Sequence, residues 1–271
     1  MKIRDFESFS KKYKSLVGIG NCHHRHYIYK YMSFNTAIKV LKTNTLRFSK
    51  PTQWKDPFES RFLNADYSKV DRTKELNNHL VACCLTGQTA NEAAWRMYSD
   101  YGHGEHCVQF SIYIGQLRLF LDKYATEEGL KLYEGSVDYS FKDAEIERFI
   151  CLALLFIRIF FEKFTNLSFL NLMLIKRQAF EYENEIRYIL QDPKAHYYKK
   201  YLDVSIPWSI VLNNVKIDPE SNQDEIEELN NALQKNRNVC RRDYPNYNTS
   251  VISPQKHIIF KEHEPIIIGE R

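Results

Sequence analysis

Short strand-like runs interleave with helical patterns along most of this chain, and that alternation constrains the fold more than any other feature. Tyr27 to Met32 (YIYKYM) is aromatic and alternating, which predicts a strand. Ser33 can cap a helix over Phe34 to Lys42, with Ala37, Ile38 and Leu41 on one face, and Asn44 can close it. Thr45 to Ser49 then predicts a second strand. Further strands are expected at Val81–Leu85, His106–Ile112, Gly135–Tyr139, Glu185–Gln191 (extending back toward Glu183), Leu202–Pro207 and Ile210–Val215. Helices are expected in the first 26 residues, at Asn91–Tyr98 and Gln116–Tyr124, through 143–179 and at Asp224–Gln234, where Ile226, Leu229 and Leu233 recur at helical spacing. No strand leads into a G-x-G-x-x-G turn and no G-x-x-x-x-G-K-[ST] loop occurs, so neither a Rossmann fold nor a P-loop is supported. The pattern predicts an α+β fold. A length of 271 residues suits one domain, with a core over about 27–215 and a C-terminal extension over 216–271.

Residues 149–175 are very apolar, but Arg158, Glu162, Lys163 and Asn166 interrupt them. A charge in mid-span costs several kcal/mol, so this stretch predicts buried helix rather than a membrane crossing. The first residues, Met1 to Glu7, lack a signal-peptide apolar run, and the six cysteines show no C-x-x-C spacing. A cytoplasmic protein with reduced thiols is expected. A net charge of +4 permits RNA, DNA or a dinucleotide as partner and requires none of them.

Several segments carry chemistry-bearing residues. Glu183 and Glu185 stand two apart in a strand-like run, so they project to one side, with Arg187 beyond them. Two neighbouring carboxylates suit a pair in which one orients a sugar hydroxyl and the other handles a proton; a solvated acidic edge ending in a salt bridge to Arg187 is the plainer reading of the residues alone, since charge-rich strand starts are common. Tyr29 and Tyr31 share a face of the first strand, and Arg47 and Ser49 a face of the second. Together they offer rings, a cation and a hydroxyl to a dinucleotide, or simply a half-buried sheet. In the loop Trp54-Lys55-Asp56-Pro57-Phe58-Glu59, Pro57 stiffens the backbone and Trp54 and Phe58 can anchor it. His103, His106 and Cys107, with Cys22, His23, His24 and His26, include zinc-type ligands but no second matched half, so no metal site is expected. Arg241, Arg242 and Tyr244 lie in a basic, tyrosine-bearing stretch that suits either a nucleic-acid contact or a solvated loop.

In order and spacing, several of these pieces resemble an uncharacterised prokaryotic family: Tyr29-Lys30-Tyr31, Leu46-Arg47-Phe48-Ser49, Asp56-Pro57-Phe58-Glu59, Trp95 and Tyr98, Gly104 and Cys107, then Lys176, Tyr182, Glu183, Glu185 and Arg187. Lys55 stands where that family usually has Asn, and Phe180 where it often has Trp. The wider resemblance is to ADP-ribosyltransferases. It implies a core of short strands in a split sheet with peripheral helices, and NAD as co-substrate. Tyr29 or Tyr31 would meet the nicotinamide, Arg47 the pyrophosphate, and Ser49 would fill the second motif. Glu185 would be the final catalytic glutamate and Glu183 the group that orients or deprotonates the acceptor. The acceptor is expected to be RNA or DNA ahead of protein, with Arg241, Arg242 and Tyr244 contacting it. The resemblance also suggests a toxin or phage-defence effector, held in check by an antitoxin or chaperone. A non-catalytic binding module of a defence system and a metal-dependent nuclease are the alternatives.

Overall fold

The computed structural model describes residues 26–54, 56, 59, 80–89, 92–99, 105–140, 142–146, 170, 173–192, 200–233 and 239–241. It is an α+β fold. In chain order the elements are β1 (Tyr27–Ser33), α1 (Phe34–Thr43), β2 (Thr45–Ser49), β3 (Leu80–Thr86), α2 (Glu92–Tyr98), β4 (Cys107–Tyr113) and α3 (Ile114–Glu128). They continue with β5 (Lys131–Ser136), a 3-10 turn (Gln178–Glu183), β6 (Glu185–Gln191), β7 (Tyr201–Ser205), α4 (Trp208–Val211), β8 (Leu212–Ile217), α5 (Gln223–Ala232) and β9 (Val239–Arg241). The expected first helix and most of the 149–175 region lie outside the described residues. No helix among the described residues is long and apolar enough to cross a membrane.

One sheet runs β5-β6-β3-β1-β4-β8-β9, and β3 also pairs with β2, which carries β7. The pairs among β1 to β8 are antiparallel, and β9 joins β8 in parallel. The sheet forks at β3. Its register partner on β1 is a single residue, Tyr29 opposite Thr86, and on β2 a single residue, Ser49 opposite Ala82. Along its other edge β3 pairs with β6 from Leu80 opposite Gln191 to Thr86 opposite Glu185.

Strand alternation explains the two faces. Ile28 and Met32 of β1, Val81, Cys83 and Leu85 of β3, and Ile186, Tyr188 and Leu190 of β6 enter one large core. Ile38 and Leu41 of α1, Leu117 and Leu121 of α3, Trp208 of α4 and Leu229 of α5 complete it. Burying chains of this size contributes roughly 1.5–3 kcal/mol each. Leu229 and Leu233 belong to this core, so α5 is integral to the fold rather than part of an extension. On the opposite face Tyr31, Ala94, Trp95 and Cys107 form a smaller cluster, where α2 packs on β1 and β4.

Two local signals have physical sources. Asn44 closes α1 in the left-handed conformation, as its position predicts. Ser33 occupies the N-cap, but its hydroxyl meets Thr36 Oγ1 at 3.0 Å rather than a backbone N–H. Two expectations shift. Gly129, at φ 68°, ends α3 only after Glu128, and β5 then runs over Lys131–Ser136 instead of Gly135–Tyr139. The segment expected as strand from Ile210 begins as the short helix α4, and β8 starts at Leu212.

Candidate functional site

On the face opposite the large core, the start of β6, the end of β3 and the middle of β1 line a cleft of about 460 Å³. Its walls carry four carboxylates (Asp56, Glu59, Glu183, Glu185) and four cations (Lys30, Lys176, Arg177, Arg187). Tyr29, Trp54, Met97, Tyr98 and Phe180 supply apolar faces.

Glu185 and Arg187 share a face of β6, as strand periodicity predicts. The guanidinium grips the carboxylate with two bonds, Nε to Oε1 and Nη2 to Oε2, both 2.9 Å. Arg187 is 1% exposed. Its Nη2 also reaches Glu59 Oε1 at 2.5 Å, its Nη1 donates to the Met173 carbonyl, and the Trp54 ring lies 4.3 Å from the guanidinium carbon. Lys176 Nζ joins the cluster at 2.6 Å from Glu183, 3.3 Å from Glu185 and 3.5 Å from Glu59. Beside it Arg177 pairs with Asp56 at 3.1 Å.

Glu183 and Glu185 both contact Lys176, but they are not the neighbours on one strand face that the sequence predicts. Glu183 is not on the strand. It ends the 3-10 turn, and Asn184, at φ 41°, turns the chain into β6 through the left-handed region that Asn tolerates better than most residues. The turn is pinned to β3: Thr86 Oγ1 donates to the Glu183 carbonyl at 2.5 Å and Gly87 N to the Asn184 carbonyl at 2.9 Å. Lys176, rather than strand spacing, brings the two carboxylates together.

Their electrostatics diverge. Burial alone would raise the Glu185 carboxyl, but the Arg187 guanidinium, the Lys176 ammonium and a bond from the Cys84 thiol hold it down to about 2. A carboxylate has about four acceptor positions, and these partners occupy them. Glu183 goes the other way. Burial raises its carboxyl above the ordinary range despite its bond to Lys176. Its side chain keeps 23% exposure, and Lys176 is its one side-chain hydrogen-bond partner among the described residues. Lys176 itself is held protonated: burial opposes its charge, and Glu185 and Glu59 more than compensate.

The other expected site residues divide. Tyr29 lines the cleft and is half-buried. Tyr31 also lines it, but its ring packs edge-on against Trp95 at 5.3 Å and its hydroxyl donates to the Thr89 carbonyl at 2.9 Å, so its role there is structural. Arg47 and Ser49 do not line the cleft, which corrects the expectation that they share it with the Glu pair. The fork carries β2 away toward β7, where Arg47 Nε lies 2.7 Å from Asp203 Oδ1 and its guanidinium covers the Tyr201 ring at 3.9 Å. Arg241 belongs to β9, which pairs with β8 and not with the strands of the cleft. Arg242 and Tyr244 lie outside the described residues, as do His103, His23, His24 and Cys22. His106 Nδ1 contacts Glu225, which closes the capping box of α5, at 2.9 Å. Among the described residues no group of three or more His, Cys, Asp or Glu could hold a metal ion.

Glu59, Trp54, Tyr98 and Lys30 also line the cleft, and no local sequence pattern marks them as site residues. Glu59 and Trp54 sit in the loop around Pro57, and Lys30 stands between the two tyrosines of β1. Each belonged to a visible motif, but the contact that makes it matter spans distant parts of the chain. No family model, curated protein or solved structure compared with this chain matches it.

Proposed function

We propose that this cleft binds NAD and that the protein transfers ADP-ribose from it to a macromolecule, with RNA or DNA ahead of protein, as a toxin or phage-defence effector. The reading rests on the sequence resemblance to ADP-ribosyltransferases and on one observation: Glu183 and Glu185 meet Tyr29 of β1 across a single cleft. The volume of about 460 Å³ lies within the range of small-molecule sites, roughly 300–1,000 Å³, and aromatic walls with a few convergent polar groups suit a nucleotide.

Breaking the bond between nicotinamide and ribose builds positive charge on the sugar, and a carboxylate at the ribose hydroxyls stabilises that charge as it develops. Resemblance alone gives this task to Glu185. The hydrogen bonding favours Glu183, which keeps acceptor capacity and an exposed edge, and whose raised pKa suits a base. Glu185 then acts as a positioning residue: with Glu59 it fixes Lys176, which holds the Glu183 carboxylate. Tyr29, half-buried in the wall, offers its ring to the nicotinamide.

A second reading, a non-catalytic nucleotide-binding module, draws on the engagement of Glu185 by its ion-pair partners. Turnover separates the two. Incubation with NAD labelled in the adenylate phosphate, together with cell extract, is expected to leave label that nuclease releases. Label released only by protease would move the acceptor to protein, and absence of both label and free nicotinamide would overturn the transferase reading.

A further inference from the structure

We propose that the cleft continues past Lys30 into a second cavity that receives the adenosine diphosphate half of a dinucleotide. This rests on the nucleotide reading above and adds a subsite to it. The second cavity, about 390 Å³, shares Lys30, Tyr31, Met97 and Tyr98 with the first, so the two adjoin at these side chains. A ligand made of two nucleoside halves joined by a pyrophosphate has this form: two bulky ends and a narrow, doubly anionic waist.

Lys30 stands at the waist. β1 and β3 meet only at Tyr29 and Thr86 before the fork, and the Lys30 side chain reaches β3, where Nζ lies 3.1 Å from the Cys84 carbonyl and 3.7 Å from Cys83 Sγ. Both partners are uncharged in their ordinary state. The other three cations of the cleft, Lys176, Arg177 and Arg187, are each paired with carboxylates, whereas no carboxylate pairs with Lys30 among the described residues. An ammonium has three donors, so Lys30 keeps charge and donor capacity for phosphate oxygens. The far cavity supplies what an adenosine needs. Ser33 and Thr36 bring hydroxyls and Glu105 a carboxylate that can meet ribose hydroxyls. Met97 and Tyr98, 54% and 44% exposed, offer apolar faces to a base. The nicotinamide riboside half then lies on the Glu183 side.

Calorimetric titration of the full chain with ADP and, separately, with nicotinamide mononucleotide tests the subsite without any turnover. Thr36→Trp, at an exposed position, should fill the far cavity, weakening ADP at least about tenfold while leaving nicotinamide mononucleotide unchanged. Lys30→Met should weaken both by about tenfold or more, as expected for a lost charge-assisted bond to phosphate. ADP affinity indifferent to Thr36→Trp, or no ADP binding by the wild-type chain, would overturn the proposal. ADP binding with these responses but no NAD turnover would keep the subsite and sink the transferase reading. NAD turnover with ADP affinity unmoved by Thr36→Trp would do the reverse.

Discussion

Two ion pairs in this fold look alike locally and differ in everything around them. In each, an arginine on a strand grips a carboxylate through Nε and a terminal nitrogen: Arg187 with Glu185, and Arg47 with Asp203. Arg187 lies on β6 in the wall of a cleft, buried under Trp54 and shared with Glu59. Arg47 lies on the β2–β7 branch, with its side chain 44% exposed, backed by a single tyrosine. Burial makes the first pair part of an interdependent network and leaves the second a local surface contact. A carboxylate–arginine pair read from sequence thus says little about function until the sheet decides which face and which branch it occupies.

The comparison breaks most sharply at Arg187. Replacing it with Met leaves Glu185 and Glu59 buried beside a single remaining cation, Lys176. Loss of one partner from a buried network costs about 3–5 kcal/mol, so R187M should show a correspondingly lower denaturation midpoint. An unchanged midpoint would mean the cluster is not buried as described. Acid should act next most strongly, on the order of 3 kcal/mol. The Glu185 carboxyl, at 4.5 in its unperturbed state, is held at about 2 in the fold. The unfolded chain therefore takes up the proton first, and this stabilisation is full above pH 4.5 and is lost as pH falls toward 2. Glu183, shifted upward, contributes with the opposite sign. Unfolding curves collected across this pH window should show stability falling with acid; a flat profile would contradict the pairing. The smallest effect is expected at the other pair. Arg47→Ala should change stability by about 0–1 kcal/mol, the usual range for exposed pairs, and leave NAD turnover untouched. Loss of turnover in R47A would return Arg47 to the site that the sequence resemblance assigned it.

Much of this architecture can be read from the chain because local patterns and tertiary burial agree. The run Thr45–Ser49 alternates and becomes β2, Glu185–Gln191 becomes β6, and Asn44 ends α1 where its tolerance of left-handed backbone suggests. Disagreement appears where a local signal has a competitor. Gly135 reads as a strand start, yet Gly129 had already ended α3, so β5 begins at Lys131. At the site, the sequence names Glu183, Glu185 and Arg187 but not the geometry that distinguishes them. That geometry comes from Asn184, which takes Glu183 off the strand, and from Lys176 and Glu59. Glu59 lies 128 residues from the arginine it shares with Glu185. A strand-period argument sees neighbours two apart and has no access to such partners. The fork at β3 is equally silent in sequence, and it alone decides that Arg47 and Ser49 leave the cleft.

In the proposed transferase, Glu183 offers its carboxylate to the sugar while Glu185 serves the scaffold. Nicotinamide release from NAD by the purified wild-type chain and by Glu183→Gln tests it most directly, with melting curves as the check on folding. Lys176 keeps Glu59 and Glu185 as partners in the variant, so E183Q should melt like wild type. It should release nicotinamide about 100-fold more slowly or worse, the range for losing one group that stabilises charge in the transition state. Equal rates for the two proteins, or no release by the wild type, would contradict it.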